Sequence, residues 1–324
     1  MYFPKGEKRG VSMATVNVSD LNSAARVEPR ASIIFAERDY HEKIEDLAQL
    51  LINKESVRAV LLAGPSGSGK TTTANLLCDA LKRRGEDALV LSLDDFYLDH
   101  DDPRYPLGKD GKPDYERPES LNLKDLEDTL RDIIENREFN VPKYDFKTGR
   151  RCDNKTHAPM GRGCVIIEGL HALNPKISEN LPHDKILKLF VSVSTNVNKG
   201  GVRIISGRKI RFVRRLVRDS IFRAADAKRT LSMWKNVLHS EDLYLYPYKA
   251  DADVAFDTFH SFELGVMKRE AVRLLNVDDT ENDEYARVVL SALKEVEEID
   301  TALVPKNSLI REFISGGIYD KHYK

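Results

Sequence analysis

Eight consecutive residues, Gly64-Pro65-Ser66-Gly67-Ser68-Gly69-Lys70-Thr71, satisfy the spacing G-x-x-x-x-G-K-S/T. Glycines in such a run let backbone N–H groups turn inward around phosphate oxygens, and the helix that follows adds partial positive charge from its N-terminus. Lys70 can reach β- and γ-phosphates, and the Thr71 hydroxyl can ligate magnesium. The expected nucleotide-binding run is therefore Gly64, Pro65, Ser66, Gly67, Ser68, Gly69, Lys70, Thr71 and Thr72. By composition alone the four fixed positions would match in about one chain per hundred of this length, so the motif needs its flanking strand and helix to count. A phosphate loop does not separate kinases from switches, motors or transporters. A GTPase would want N-K-x-D, and the nearest string, Asn154-Lys155-Thr156-His157, ends in the wrong residue.

Two carboxylates are placed to face that loop. Asp94 follows the apolar run 88–93 and would arrive where the strand ends of an open parallel sheet gather around a ligand. It could orient or deprotonate an attacking hydroxyl and touch magnesium, or it could cap a turn. Glu168 ends the apolar run 164–167, and an acid capping a buried strand needs a partner, which magnesium would supply. A third group, Arg211, Arg214, Arg215 and Arg218, repeats at i, i+3, i+4 and i+7 on one helical face. Such a stripe could clamp phosphates as a lid, grip nucleic acid, or be a solvated face. The lid is the reading that suits a chain with a phosphate loop and no excess positive charge.

The elements that must position these groups are legible as apolar runs. Residues 57–63, 88–93, 164–167, 187–193 and 254–256 read as buried strands, alternating with helical patterns at 71–83, 121–135 and 211–225. The fold class expected is α/β, a P-loop fold with a mostly parallel sheet flanked by helices and an arginine-rich helical lid. Residues 1–36 read as a flexible arm, 37–56 as an N-terminal helix, 57–275 as the P-loop domain and 276–324 as a helical extension. That extension would hold an acidic stretch at 278–284 and a helix over 285–299.

Bulk properties narrow the partners. The 51 basic and 52 acidic residues give a net charge of −1, so no global field draws the chain to nucleic acid or membrane. Three cysteines without a C-x-x-C spacing suggest reduced thiols rather than disulfides or zinc. With no apolar run of about 18 residues and no apolar core in a leader, a cytoplasmic location is expected. A small-molecule acceptor is the partner expected, with no nucleic acid and no membrane, and with homo-oligomerisation left open.

Taken in order, the motifs resemble the uridine kinase and phosphoribulokinase family of P-loop kinases. After the phosphate loop, Ser92 to Tyr97 is similar to that family's S-x-D-x-F-Y, and Tyr115 to Ser120 to its F-D-x-P segment. Residues 142–146 are similar to P-x-Y-D-F, Glu168-Gly169 to E-G, 211–219 to R-x-x-R-R-x-x-R-D, and 247–254 to P-x-K-x-x-A-D-V. The resemblance implies ATP as donor, Asp94 as catalytic base, and Thr71, Asp94 and Glu168 as the magnesium site. It implies catalytic roles for Lys70 and Arg211, nucleotide contacts from Arg214 and Arg218, and acceptor contacts from Tyr97, Tyr115, Glu116, Tyr144, Arg211 and Arg223. Asp95 falls at a variable position of the motif. Uridine kinases carry Asp at the place of Glu116 and a base-reading His shortly after P-x-Y-D-F, whereas Lys147-Thr148-Gly149-Arg150 stands here. The acceptor expected is a nucleoside such as uridine or cytidine, the alternatives being another sugar, sugar phosphate or polyol. A nucleotide-gated binding protein without turnover is the reading from another class.

Overall fold

The computed structural model describes residues 14–108, 111–276 and 283–322. A short strand β1 (Thr15–Asn17) leads into helices α1 (Val18–Val27) and α2 (Pro29–Asn53). Pro29 separates the two helices, since its ring suits the first turn of α2 but cannot continue α1. Strand β2 (Ala59–Ala63) and helix α3 (Lys70–Arg83) bracket the phosphate loop, followed by β3 (Ala88–Ser92) and α4 (Leu123–Ile134). Strands β4 (Phe139–Asp145) and β5 (Arg150–His157) form an antiparallel hairpin. Then come β6 (Cys164–Glu168), the single-turn α5 (Pro175–Ser178), β7 (Ile186–Ser192), β8 (Asn196–Lys199) and β9 (Val202–Ile205). Helices α6 (Gly207–Arg223) and α7 (Ala227–Tyr244), strand β10 (Val254–Asp257) and helices α8 (Glu263–Leu275), α9 (Glu284–Lys294) and α10 (Arg311–Ile314) complete the chain.

The five apolar runs become one parallel sheet of order β10-β7-β2-β6-β3. Alternation along β2 explains why its sequence is apolar throughout: Val60 and Leu62 enter the core on one face, Ala59, Leu61 and Ala63 that on the other. The chain is an α/β P-loop fold, as its pattern of runs predicts. β2 lies between β7 and β6, and the carboxyl ends of β2, β3 and β6 open onto one crevice.

Three expectations are corrected. The part of the N-terminal arm that is described, from residue 14, is structured: β1 pairs in parallel with β8, and α1 and α2 bury Val18, Leu21, Ile33 and Tyr40. A stripe this narrow, interrupted at Pro29, gives no sustained period; residues 1–13 lie outside the described residues. The extension is not separate from the domain before it, because Val289, Leu293, Leu309, Ile310 and Phe313 join the same core as α3. Its acidic stretch lies largely outside the described residues, save that Asp283 caps α9 by accepting from the Tyr285 and Ala286 N–H groups. Finally, α6 is an inner helix whose Arg211, Arg214 and Arg215 point into the protein. No helix among the described residues is long and apolar enough to cross a membrane.

Candidate active site

Glycine is required in the loop for reasons of space and of backbone. A Cβ on Gly64 would lie 2.3 Å from the Val191 carbonyl, and Gly67, at φ +72°, would press one to 2.8 Å from that of Arg211. The loop thus lies flush against β7 and α6. Lys70 rests on the Pro65 carbonyl at 3.3 Å.

Thr71 donates its hydroxyl to Glu168 Oε1 at 3.1 Å, so the two groups predicted to share a metal are adjacent. Burial pushes the Glu168 carboxyl up to about 7, with the Asp94 charge adding and Lys70 opposing. Asp94 opens to the crevice, yet the protein massed around it raises its pKa; Lys70 opposes this and Asp95 adds to it. Two carboxylates destabilised by a low dielectric and by each other, beside a hydroxyl, form a hard oxygen donor set of the kind that holds a divalent cation. That set fits magnesium, although no ready-made cluster of three acidic, His or Cys ligands exists among the described residues. Substrate phosphates usually supply the remaining ligands of such an ion.

Asp94 and Asp95 sit on a 3₁₀ turn capped by the Ser92 hydroxyl, which accepts from the Asp94 N–H at 3.3 Å. Asp95 turns away and binds β4, accepting from the Tyr144 N–H at 3.3 Å and pairing with Lys143 at 2.9 Å. It thereby ties the β4 wall of the crevice to the Asp94 turn. That wall is aromatic: the Tyr97 ring lies 5.7 Å from Tyr144 and 6.0 Å from Phe146, and His100 lies 5.2 Å from Tyr115. Among the described residues the buried hydroxyls of Tyr105 and Tyr144 have no hydrogen-bond partner. Glu116 is raised by burial, with Arg215 as its main counter-charge. His100 and Tyr105 come from the polar segment after the S-x-D-x-F-Y motif, where no periodicity marks them.

The arginines differ most from expectation. Arg211 and Arg214 have fully buried side chains paired with Glu241 and Glu263. Arg211 grips both Glu241 oxygens at 2.8 Å and donates to the Ser66 carbonyl at 2.8 Å. Arg214 donates to the Gly67 carbonyl at 3.2 Å and the Thr258 carbonyl at 2.7 Å, while the Thr258 hydroxyl donates to the Ser68 carbonyl at 2.7 Å. In this conformation neither guanidinium is available to a phosphate or an acceptor. They buttress the loop from behind, because a buried charge is held only where acids and carbonyls satisfy it. Arg215, expected only as a member of the lid stripe, reaches the Ser66 hydroxyl at 2.8 Å and lies in electrostatic contact with Glu116. Arg223 is half exposed, pairs with Asp219 at 3.2 Å and faces Asp94; Arg218 and burial push it down to about 10.

A phosphate loop at the end of a parallel sheet, facing two acids and an aromatic wall, defines the site of a P-loop phosphotransferase. Residues 59–264 match the Phosphoribulokinase / Uridine kinase family, and the chain belongs to that family. Among curated relatives, a uridine kinase of Lactobacillus johnsonii is 27% identical over 203 residues, covering 62% of this chain and 87% of the relative. The mouse protein named uridine-cytidine kinase-like 1 is 29% identical over 198 residues, covering 60% and 32%. A D-glycerate 3-kinase structure from Cryptococcus neoformans superposes with a TM-score of 0.30 at 26% identity, covering 40% of this chain and 52% of that one. The chain is a kinase that phosphorylates a hydroxyl of a small metabolite.

Proposed function

We propose that the chain transfers the γ-phosphoryl group of ATP to a hydroxyl of a nucleoside such as uridine or cytidine. The observation that carries this reading is the aromatic wall of Tyr97, Tyr115 and Tyr144 beside Glu116, tied to the Asp94 turn by Asp95. Flat rings suit a base, and a carboxylate suits ribose hydroxyls. Loop N–H groups and Lys70 hold the phosphates in line. Asp94 accepts the proton of the attacking hydroxyl, and its raised pKa improves it as a base near neutral pH. Arg223, facing Asp94, stabilises charge on the transferred group, and Arg215 orients Glu116 toward the acceptor. Magnesium, held by Thr71, Glu168 and Asp94, would neutralise charge on the phosphate oxygens. The kinase domain so read spans 57–275, with the flanking segments packed onto it.

A second reading has a specific basis: Lys147-Thr148-Gly149-Arg150, without a His, stands directly after Asp145 and Phe146, so that turn offers no imidazole to a pyrimidine edge, and Glu116 would serve a sugar or polyol as well. ADP release measured with ATP against nucleosides, pentose phosphates and polyols separates the readings. Stimulation by uridine or cytidine well above the others is expected. Stimulation by a non-nucleoside alone would overturn the nucleoside assignment, and none by any would favour a binding protein.

A further inference from the structure

Beyond α9 the chain returns to the phosphate loop. Leu309, Ile310 and Phe313 are fully buried and carry α10 onto the first turn of α3. There Glu312, 3% exposed, sets Oε2 against the Thr72 N–H at 3.3 Å and the Thr72 hydroxyl at 2.7 Å. Its Oε1 takes Arg218 Nη1 at 3.3 Å. Leu309 covers Gly69 so closely that a Cβ there would meet its Cδ1 at 2.6 Å. The first turn of a phosphate-loop helix offers N–H groups and partial positive charge to phosphate oxygens, and a carboxylate answers the same donors. Glu312 is bonded as a phosphate would be, by a helix N-terminal N–H, a hydroxyl and an arginine.

We propose that residues 308–314 form an autoinhibitory strap, in which Glu312 occupies the phosphate cradle and must leave before nucleotide binds. This rests on reading the cradle as the ATP site. The strap is fastened by Arg311, which donates to the carbonyls of Pro305, Ser315, Thr301 and Val304. It exits through Ser315 at φ +63° and Gly316 at φ +78°. Left-handed backbone at a serine is strained and persists only while its surroundings hold it, so this turn is a place where release begins. A triphosphate carries more charge than one carboxylate and competes for Arg218 and Thr72. Apparent nucleotide affinity is then the intrinsic affinity reduced by the fraction of open molecules.

Hydrogen–deuterium exchange of the full chain, with and without AMP-PNP and magnesium, tests this. Slower exchange at 64–73 together with faster exchange at 308–315 is expected. Slower exchange at 64–73 with unchanged or slower exchange at 308–315 would overturn the strap and leave the ATP site standing. No change at 64–73 would remove the ATP-site reading and the strap with it. Glu312→Gln keeps the size and drops the charge, and it should tighten AMP-PNP binding about tenfold if about a tenth of molecules are open. Unchanged or weaker binding by the folded variant would contradict the proposal.

Discussion

Replacing Glu241 with Ala should destabilise the protein severely and loosen the phosphate loop at the same time. The substitution removes both oxygens that Arg211 grips at 2.8 Å, and with them the acceptor of the Ser66 N–H at 2.8 Å. Both partners are buried, the side chains being 0% and 1% exposed, so water cannot replace what is lost. Stranding a buried charge costs about 3–5 kcal/mol, and an orphaned N–H adds about 1 kcal/mol or more. The sum, about 4–6 kcal/mol, is a large share of the about 5–15 kcal/mol that folded proteins hold. Urea unfolding would show it as a lower midpoint at unchanged slope. The double variant Arg211→Met, Glu241→Leu removes the charge as well, and it should recover most of the stability while nucleotide affinity stays weak, because Ser66 is still released. If Glu241→Ala costs less than about 1 kcal/mol, or the double variant is no more stable than Glu241→Ala, the buttress does not exist as described.

Lys70→Ala should cut phosphoryl transfer by several orders of magnitude with the fold intact, because lysine stabilises charge that develops in the transition state; a folded variant with near-normal turnover would exclude that role. Asp95→Ala frees Tyr144 and Lys143, so acceptor KM should rise about fivefold, one hydrogen bond's worth, with kcat changed far less; initial-rate kinetics decide. Burial pushes Glu37 up to about 7 from 4.5, so the folded chain keeps a proton that the unfolded chain releases. Its contribution is therefore full below pH 4.5 and is lost as pH rises through 7. Glu37→Gln should accordingly stabilise the protein by on the order of 2 kcal/mol at about pH 8 and change little at about pH 4, read from thermal unfolding.

What could be read in advance was whatever chemistry is local. β2 and β6 are covered on both faces and so read as unbroken apolar runs, and the phosphate loop sits between a strand and a helix that announce themselves. β5 escaped notice because it is largely exposed and its residues, Arg150 to His157, do not alternate. The arginine stripe of α6 was visible, but its direction was not. The acids that bury Arg211 and Arg214 stand 30 and 49 residues further on, and tertiary pairing leaves no period in the sequence. Glu312, almost a hundred residues beyond Arg218, is hidden for the same reason. Asp94 opens to the crevice while Asp95 turns to β4, from a 3₁₀ turn that no periodicity announces.

Turnover of the Asp94→Asn variant, with the hydroxyl compound the wild type accepts and saturating ATP, probes the proposed chemistry at its centre. Asparagine keeps the shape and cannot take the proton. The rate should fall at least about a hundredfold, with AMP-PNP affinity changed little, since Lys70 and the loop N–H groups remain. A variant that binds AMP-PNP as the wild type does and still turns over at a comparable rate would contradict the assignment of Asp94 as the base.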